Sequence, residues 1–392
     1  MSMNLKKTKQ KPKLNYDLTL YACVIFLVLF GLLMIYSASF YSAKHNYNNQ
    51  FFYLKKQGMA AVVGLALMIC LSMVDFRFFG KFVYVALVLG FVLLALVFVP
   101  KFGVSNYGAR RWLNLGFFTI QSSEVAKFSF ILFAAYYLSK YHKNIKKWWG
   151  FLPVLAAGAT TCLLIILEPN MSITMCVGMT MLFMLFVGGL PFKYFIFLLI
   201  PAIALVPILI IIEPYRLNRL SAFLNPWASP KGEGYQLIQS LYALGSGSWF
   251  GVGLFAGRQK YLFLPFAESD FIFGVIGEEL GFVGCTLIIA IFFVLVVRII
   301  KIATKSSSRF GCYLAAGLAG IIAIQTLVNI AVVTGSIPPT GLPLPFVSFG
   351  GSSLVMFMGA IGVVQSVNRF GNLPDPPTKP FKFFKKPKKS LI

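Results

Sequence analysis

The chain has 392 residues, of which 58% are hydrophobic and only 12% are charged, and its mean hydropathy is +0.80. A soluble globular domain has about 25% charged residues, so the composition excludes that class and predicts a polytopic membrane protein. The net charge of +24 would suggest nucleic-acid binding in a soluble protein. Here most lysines flank apolar segments, as membrane topology requires, and we expect no nucleic-acid partner.

A bilayer-spanning helix needs about 20 apolar residues, and segments of this kind follow one another along the chain. The predicted spans are 17–40, 53–74, 82–100, 121–139, 151–168, 171–190, 192–212, 270–298, 310–334 and 350–368. No small-residue cleavage site follows the basic start, so we expect the first span to be an uncleaved anchor. The fold class is therefore all-α, with about ten transmembrane helices.

The distribution of Lys and Arg predicts that both termini are cytoplasmic, because most of these residues then fall on inner segments. The domain prediction is a basic segment at 1–16, a membrane domain at 17–370 and a disordered basic tail at 371–392 that lies along anionic lipid. One large extracytoplasmic loop, 213–269, joins helices 7 and 8. Long ordered loops are usually functional.

Two of the outer loops have contrasting predicted structures. The loop at 213–269 is expected to be irregular except for a short helix at Tyr235–Leu244. The loop at 335–349 reads GSIPPTGLPLPFVSF, which is too rich in proline for a helix and too apolar for free solvation. We expect it to return into the protein, which must cover its irregular backbone.

A cluster of acidic residues marks the segment Tyr261–Gly281. It contains Glu268, Asp270, Glu278 and Glu279, although the whole chain has only 11 acidic residues. Carboxylates at a membrane boundary are costly and are functional by default. We therefore expect the chemistry of this protein at this cluster.

Asp270 is the central residue of the cluster. It is predicted to lie on the first turn of a helix with Ser269 as the N-cap, so the helix dipole would favour its ionised form. A simple capping role is the alternative. Carboxylates without nearby His or Cys suit a hard cation such as Mg²⁺ or Mn²⁺, with Asp270 as a metal ligand and Glu268 or Glu279 as a second carboxylate.

Glu124 and Lys127 are three residues apart at the start of the predicted fourth helix and can form an ion pair on one face. Such a pair either stabilises the fold alone or serves the site, with Lys127 holding a substrate phosphate or orienting Asp270. Both interpretations remain open at this stage.

Candidate anion-binding residues lie at outer loops and helix starts. Paired arginines beside an aromatic residue suit a lipid pyrophosphate, and lipid headgroups are the alternative; the N-terminus of a helix also attracts anions. The candidates are Arg110, Arg111, Arg216, Arg219, Ser352 and Ser353. Lys231, Arg258 and Lys260 are interpreted as plain loop charges.

Several longer motifs occur together in one order. They are YSAS at Tyr36–Ser39, GARRWL at Gly108–Leu113, QSSEVAK at Gln121–Lys127, YRLNRLSAFLNPW at Tyr215–Trp227, GYQLIQSLYALGSGSWFGVGL at Gly234–Leu254, LPFAESDFIF at Leu264–Phe273, GEELGFVG at Gly277–Gly284 and TGLPLPFVSFGGSSL at Thr340–Leu354. With these motifs the chain resembles the SEDS (shape, elongation, division and sporulation) proteins, the FtsW/RodA/SpoVE group, and is more similar to the division-type FtsW and its sporulation relative than to RodA.

The resemblance implies a peptidoglycan glycosyltransferase of the bacterial cytoplasmic membrane, acting at the division septum. Such enzymes polymerise lipid II at the outer leaflet and release undecaprenyl pyrophosphate. The essential aspartate of the family corresponds to Asp270, and its ion pair corresponds to Glu124 and Lys127. The implied partners are a class B penicillin-binding protein and divisome membrane proteins, and a divalent cation is implied as cofactor. A lipid II flippase and a non-catalytic division scaffold are the alternatives.

Two positions depart from the family pattern. The family has LPE before the aspartate, whereas this chain has Phe266 at the third position, and we hypothesise that Glu268 supplies the displaced carboxylate. The QPD sequence of the family appears here as Glu168-Pro169-Asn170, so that one acid is lost at Asn170 and one is gained at Glu168.

Overall fold

The structure is a computed structural model that describes residues 16–100, 102–106, 109–114, 116, 119–211 and 214–372. The predicted 1–16 segment and the 371–392 tail lie almost entirely outside these residues. The helices are α1 Leu18–Tyr47, α2 Phe52–Met73, α3 Val83–Leu96, α4 Ser122–Lys140, α5 Trp148–Leu167, α6 Met171–Val187, α7 Phe192–Ile211, α8 Pro214–Leu224, α9 Tyr235–Gly247, α10 Ile272–Lys305, α11 Arg309–Val333 and α12 Gly351–Phe370, with 3₁₀ turns at Phe76–Lys81 and Pro226–Ala228.

Each predicted span coincides with one long helix, namely α1 to α7 and α10 to α12. Among the described residues, 6 helices are long and apolar enough to cross a membrane: α1, α2, α5, α10, α11 and α12. Val83–Leu96, Met171–Val187 and Phe192–Pro201 are apolar but shorter. The chain is therefore a multi-pass membrane protein, while the number of ten spans and the cytoplasmic termini stay predictions.

Helices α11 and α12 form the centre of the bundle, since 67% of their most apolar windows is buried inside the protein, compared with 22% for α2. Small residues allow this close packing. A Cβ atom added at Gly320 of α11 would lie 2.5 Å from the Phe183 ring of α6, and one added at Gly317 would lie 2.5 Å from the Met184 sulfur. The central position of α11 matters below, because this helix carries polar side chains to the site.

The predicted all-α class is wrong in one loop. The segment after α3 forms an antiparallel sheet of three short strands, β1 Gly103–Asn106, β2 Ala109–Asn114 and β3 Thr119–Gln121, in the order β1-β2-β3. Strand β3 runs directly into α4. The sheet thus fixes the start of α4, whose first two turns carry Glu124 and Lys127. The strands are only three to six residues long. This length is too short to give a recognisable strand pattern in a Gly-rich and Arg-rich sequence.

The large loop before α10 contains more helix than its sequence predicted. Helix α9 includes the predicted short helix at Tyr235–Leu244, whereas α8 was not predicted as an element. The loop at 335–349 has neither helix nor strand, as expected, and the protein covers it: Leu342, Leu344 and Val347 are at most 2% exposed.

Helix α10 was predicted as one continuous span, but its backbone is broken at Gly281, which has φ 65° and ψ −164°. Residues 248–253 run alongside the break. Val252 N donates to Glu278 O at 2.9 Å, and Phe282 N donates to Ser248 O at 2.9 Å. Non-helical backbone at membrane depth is tolerated where such bonds satisfy it. The short outer part of α10 therefore packs as a separate unit that starts just after Asp270.

Candidate active site

The ends of the helices that we predict to be extracytoplasmic, called the outer end below, surround Asp270. This residue precedes α10, and Phe271 occupies the N-cap position without a side-chain hydrogen bond. The predictions that Asp270 lies on the first helical turn and that Ser269 is the N-cap are therefore wrong. The Ser269 hydroxyl instead donates only a long 3.5 Å bond to Phe266 O, because the chain turns before it becomes helical.

Three donors hold the backbone around Asp270. The carbonyls of residues 268–270 accept hydrogen bonds from Phe349 N at 2.9 Å, Ser348 Oγ at 2.6 Å and Asn329 Nδ2 at 2.8 Å, respectively. A Cβ atom added at Gly341 would lie 3.1 Å from Asp270 Oδ2. The loop at 335–349 and helix α11 thus hold the backbone of residues 268–270, and Gly341 lies against the Asp270 carboxylate.

The electrostatic environment of Asp270 differs from the one that a helix dipole would give. Although part of the side chain remains accessible, desolvation raises the pKa of Asp270 to about 6. Arg219 lowers this pKa, Glu268 raises it, and Arg111 lowers it. The carboxylate is still ionised at neutral pH, and its pKa is close enough to 7 for it to accept a proton from a substrate hydroxyl.

Glu268 is the second carboxylate at this position. Burial raises its pKa, and a hydrogen bond from the Tyr53 side chain lowers it. Phe266, which stands where the family has glutamate, is 43% exposed. Glu268 is the carboxylate that raises the pKa of Asp270. This effect supports the hypothesis that Glu268 replaces the displaced acid.

Glu124 and Lys127 form the ion pair that their spacing predicted, with Lys127 Nζ 2.9 Å from Glu124 Oε2 and both side chains 1% exposed. Lys127 Nζ also donates to Gln325 Oε1 of α11 at 3.0 Å. The amide of Gln325 in turn donates to Pro343 O at 2.8 Å. The ion pair is therefore connected through Gln325 to the 335–349 loop, which contacts Asp270.

Of the predicted anion-binding arginines, the structure brings Arg111 and Arg219 within electrostatic range of Asp270. Arg111 also donates to two carbonyls of the α5–α6 turn, Glu168 O at 3.3 Å and Pro169 O. Arg110 precedes Arg111 on β2, where the pairing with β1 is irregular, and Arg110 is exposed. The side chain of Arg216 lies outside the described residues.

Ser352 and Ser353 lie in the first turn of α12, as predicted. The Ser353 side chain is buried, and the Ser352 hydroxyl is buried without a hydrogen-bond partner among the described residues. The structure places these hydroxyls after the Phe349-Gly350 turn, whose Gly350 N donates to Gln57 Oε1 at 3.1 Å. Their anion-binding role stays a prediction.

Glu168 is a buried carboxyl between α5 and α6. It is 0% exposed, and Ser122 Oγ donates to its Oε1 at 2.8 Å. Desolvation raises the pKa of Glu168 to about 8, against smaller lowering effects of Ser122 and Arg111. Asn170 takes over the helix start, because its side chain accepts from Ile173 N at 3.3 Å. The two sequence departures thus produce a buried acid with a raised pKa and an amide cap.

Glu279 is separated from this arrangement by its own partners. Lys260 Nζ lies 2.8 Å from Glu279 Oε1, and both side chains are 0% exposed. Ser37 of α1 also donates to Oε1 at 2.6 Å, and Phe255 N donates to Oε2 at 3.0 Å. The interpretation of Lys260 as a plain loop charge is therefore wrong. These contacts give Glu279 a structural role and do not support it as a metal ligand.

Among the described residues, no group of three or more His, Cys, Asp or Glu side chains could hold a metal ion. Asp270 and Glu268 are the two predicted metal ligands that remain after Glu279 is set aside. Gln325 and Asn329 were not predicted as site residues, although two amides four residues apart in an apolar helix are a visible signal. Polar residues in such helices are functional candidates by default.

Comparison with known proteins decides the family. The family model for the cell cycle proteins FtsW, RodA and SpoVE matches residues 17–373. The chain belongs to the FtsW/RodA/SpoVE family. Family membership covers all of the membrane helices described above and confirms the resemblance read from the motifs.

Two curated relatives cover almost the same region. Stage V sporulation protein E of Bacillus subtilis (strain 168) is 41% identical over 360 residues, 91% of this chain and 98% of the relative. The probable peptidoglycan glycosyltransferase FtsW of Geobacter sulfurreducens (strain DL-1 / KN400) is 37% identical over 369 residues, 94% of this chain and 98% of the relative. The chain is thus similar to both sporulation and division members of the family.

A chain of known structure has the same fold. It comes from a peptidoglycan synthase complex that structurally coordinates polymerization and crosslinking. The match has a TM-score of 0.75 and 29% identity, and it covers 91% of this chain and 98% of the other. The arrangement of helices around Asp270 is therefore that of a known membrane fold.

Proposed function

We propose that this protein is a peptidoglycan glycosyltransferase that polymerises lipid II at the outer face of the cytoplasmic membrane. The observation that carries the proposal is the partly accessible Asp270 carboxylate, held by α11 and the 335–349 loop within range of Arg111 and Arg219. Relatives that match nearly the whole chain bear the name of this activity. The products are a longer glycan strand and undecaprenyl pyrophosphate.

In the proposed mechanism, Asp270 accepts the proton of the acceptor sugar 4-hydroxyl. The oxygen then attacks the anomeric carbon of the donor, the bond from that carbon to the pyrophosphate breaks, and the configuration inverts. Arg111, Arg219 and Lys127 supply positive charge near the developing anion, which is the usual electrostatic contribution to catalysis.

We also propose a divalent cation, Mg²⁺ or Mn²⁺, as cofactor. Asp270 and Glu268 would hold it, because Mg²⁺ is commonly bound by one or two carboxylates together with substrate phosphates. The Glu268 carboxylate increases the affinity of Asp270 for a positive charge, as its effect on the pKa of Asp270 indicates. When bound, the cation would neutralise the charge of the leaving pyrophosphate.

The partner that we propose is a class B penicillin-binding protein, with other divisome membrane proteins at the septum. Its support is the similarity to a chain from a complex that coordinates polymerization and crosslinking. A polymerase that leaves its product outside the membrane needs a transpeptidase nearby to crosslink the strands.

The rival function is a flippase for lipid II, which needs a polar path across the bilayer. The buried charged side chains of the described transmembrane helices, at Glu124, Lys127, Glu278 and Glu279, all lie within the outer turns of their helices. This one-sided distribution favours an enzyme at the outer leaflet. A scaffold without activity is the third possibility, and the partly accessible Asp270 carboxylate with its raised pKa counts against it, because such groups cluster at functional sites.

One assay separates these functions. The purified protein is reconstituted in liposomes with fluorescent lipid II, with and without a penicillin-binding partner whose transpeptidase site is inactivated. Glycan strands of increasing length are the expected result. Translocation of the lipid without strands would show a flippase, and neither product in the presence of the partner would show a scaffold.

A further inference from the structure

Two amide side chains of α11 face the site from one side of the helix. Gln325 and Asn329 are four residues apart and therefore share a face. They are 0% and 1% exposed, respectively. Buried amides are costly in an apolar helix unless they are hydrogen-bonded, so their partners indicate their role.

Each amide bridges two parts of the site. Gln325 accepts from Lys127 Nζ at 3.0 Å and donates to Pro343 O at 2.8 Å. Asn329 Nδ2 donates to Asp270 O at 2.8 Å and to Leu342 O at 2.7 Å. The residues that carry the proposed reaction are thus linked to each other through one helix face and one loop.

The loop between the two amides forms the surface against which the Asp270 carboxylate lies. Its residues 340–344 have no helix or strand, so their buried carbonyls need other donors. Gln325 and Asn329 bind the carbonyls of two consecutive residues, 343 and 342, and the preceding residue, Gly341, is the one whose added Cβ would lie 3.1 Å from Asp270 Oδ2. A shift of either amide would therefore move the loop residues that contact the Asp270 carboxylate.

We propose that Gln325 and Asn329 are positioning residues that hold the Asp270 carboxylate and the Lys127 ammonium in one fixed arrangement by clamping residues 342 and 343. The inference rests on the proposed function, since it names residues that serve the same site without touching the substrate. A purely structural role would stabilise the helix bundle as a whole, whereas the clamp affects the turnover step and the local order of two loops.

The decisive variants change the hydrogen bonds and keep the size of the side chains. In Asn329→Asp, a carboxylate oxygen replaces the Nδ2 group that donates to both Asp270 O and Leu342 O. Neither carbonyl can accept a hydrogen bond from this oxygen. Gln325→Glu keeps an acceptor for Lys127 but loses the donor to Pro343. Gln365→Leu is the matched control, because Gln365 is a fully buried amide of α12 whose side-chain atoms have no hydrogen bond among the described residues.

The expected kinetic result is a fall in kcat of about 100-fold for Asn329→Asp, which is the order expected for a misplacement of about 1 Å. KM should change by less than about threefold, because substrate binding to the arginines is unchanged. The double variant of Gln325 and Asn329 should lose little more than the stronger single variant, since both act through one loop. Gln365→Leu should retain wild-type kcat.

Hydrogen exchange supplies the second readout, which does not depend on activity. Asn329→Asp should accelerate exchange in peptides that cover 340–349 and 264–271 and leave exchange in α5 and α6 as in the wild type, although the buried carboxylate should also lower the thermal unfolding midpoint. Wild-type kcat together with unchanged exchange in these two peptides would overturn the clamp. Uniformly faster exchange across the described helices would show a structural role only. An inactive wild-type protein would contradict the proposed function, while the exchange experiment would still decide the inference.

Discussion

At the scale of single residues, the outer end of the molecule is built from polar groups that are buried in pairs. Lys260 and Glu279 form one pair and Glu124 and Lys127 form another, each with side chains at most 1% exposed. The sequence predicted the second pair from its spacing along one helix. It could not predict the first, because Lys260 and Glu279 lie on different segments and only the fold brings them together.

Removal of one member of the buried Lys260–Glu279 pair should destabilise the protein strongly. Lys260→Met leaves Glu279 as an uncompensated buried charge, which costs about 3–5 kcal/mol. The measurement is the thermal unfolding midpoint in detergent. The double variant Lys260→Met/Glu279→Gln should recover most of this loss, because no charge is left without a partner. A midpoint of Lys260→Met equal to that of the wild type would refute the ion pair.

The buried Glu168 carboxyl should make stability depend on pH. Its pKa is raised from 4.5 to about 8 in the folded protein. Between these pH values the unfolded chain has lost the proton and the folded protein keeps it, so stability falls as pH rises. The unfolding midpoint of the wild type relative to Glu168→Gln, which does not titrate, should decrease from about pH 5 to pH 8. A constant difference across this range would show that Glu168 is ionised in the folded state.

At the scale of elements, the long helices followed from apolar length alone, and all of the predicted spans coincide with helices. The elements that were missed are short or interrupted. The strands of the sheet have three to six residues, α8 has only 11, and the break in α10 falls inside an apolar run that reads as one helix. Tertiary contacts with residues 248–253 decide this backbone, and they are not encoded locally.

The break in α10 should depend on Gly281. The φ and ψ of Gly281 lie in a region that is essentially open to glycine alone and costs other residues about 1–3 kcal/mol, and a Cβ atom there would also collide with Gly251 N and lie 2.6 Å from Trp249 C. Gly281→Ala should therefore lower the unfolding midpoint and reduce polymerisation, because the outer part of α10 follows Asp270 directly.

The control for this variant is Gly178→Ala in α6, where an added Cβ atom meets nothing within 4 Å. Alanine is favoured over glycine in a helix by about 1 kcal/mol, so this variant should be as stable as the wild type or more stable. If Gly281→Ala and Gly178→Ala behaved alike, the backbone at Gly281 would be an ordinary helix.

At the scale of the whole molecule, the fold separates an apolar bundle from a polar outer end. At the opposite end, Arg298 Nη2 of α10 pairs with Asp17 Oδ2 at 2.6 Å, which fixes α1 against α10. The sequence predicted this division, and it identified Asp270 from the scarcity of acids. It could not identify the hydrogen bonds from α11 and the 335–349 loop to the carbonyls of Asp270 and Ser269, because the partners are 59 and 79 residues apart along the chain.

The central claim is that the chemistry of this molecule takes place at the Asp270 carboxylate. The most direct test is lipid II polymerisation by the wild type, Asp270→Asn and the neighbouring Glu268→Gln, each reconstituted with the same penicillin-binding partner inactivated in its transpeptidase site and supplied with Mn²⁺. We predict long strands from the wild type, none from Asp270→Asn and a reduced rate from Glu268→Gln. Equal strand formation by the wild type and Asp270→Asn would contradict the account.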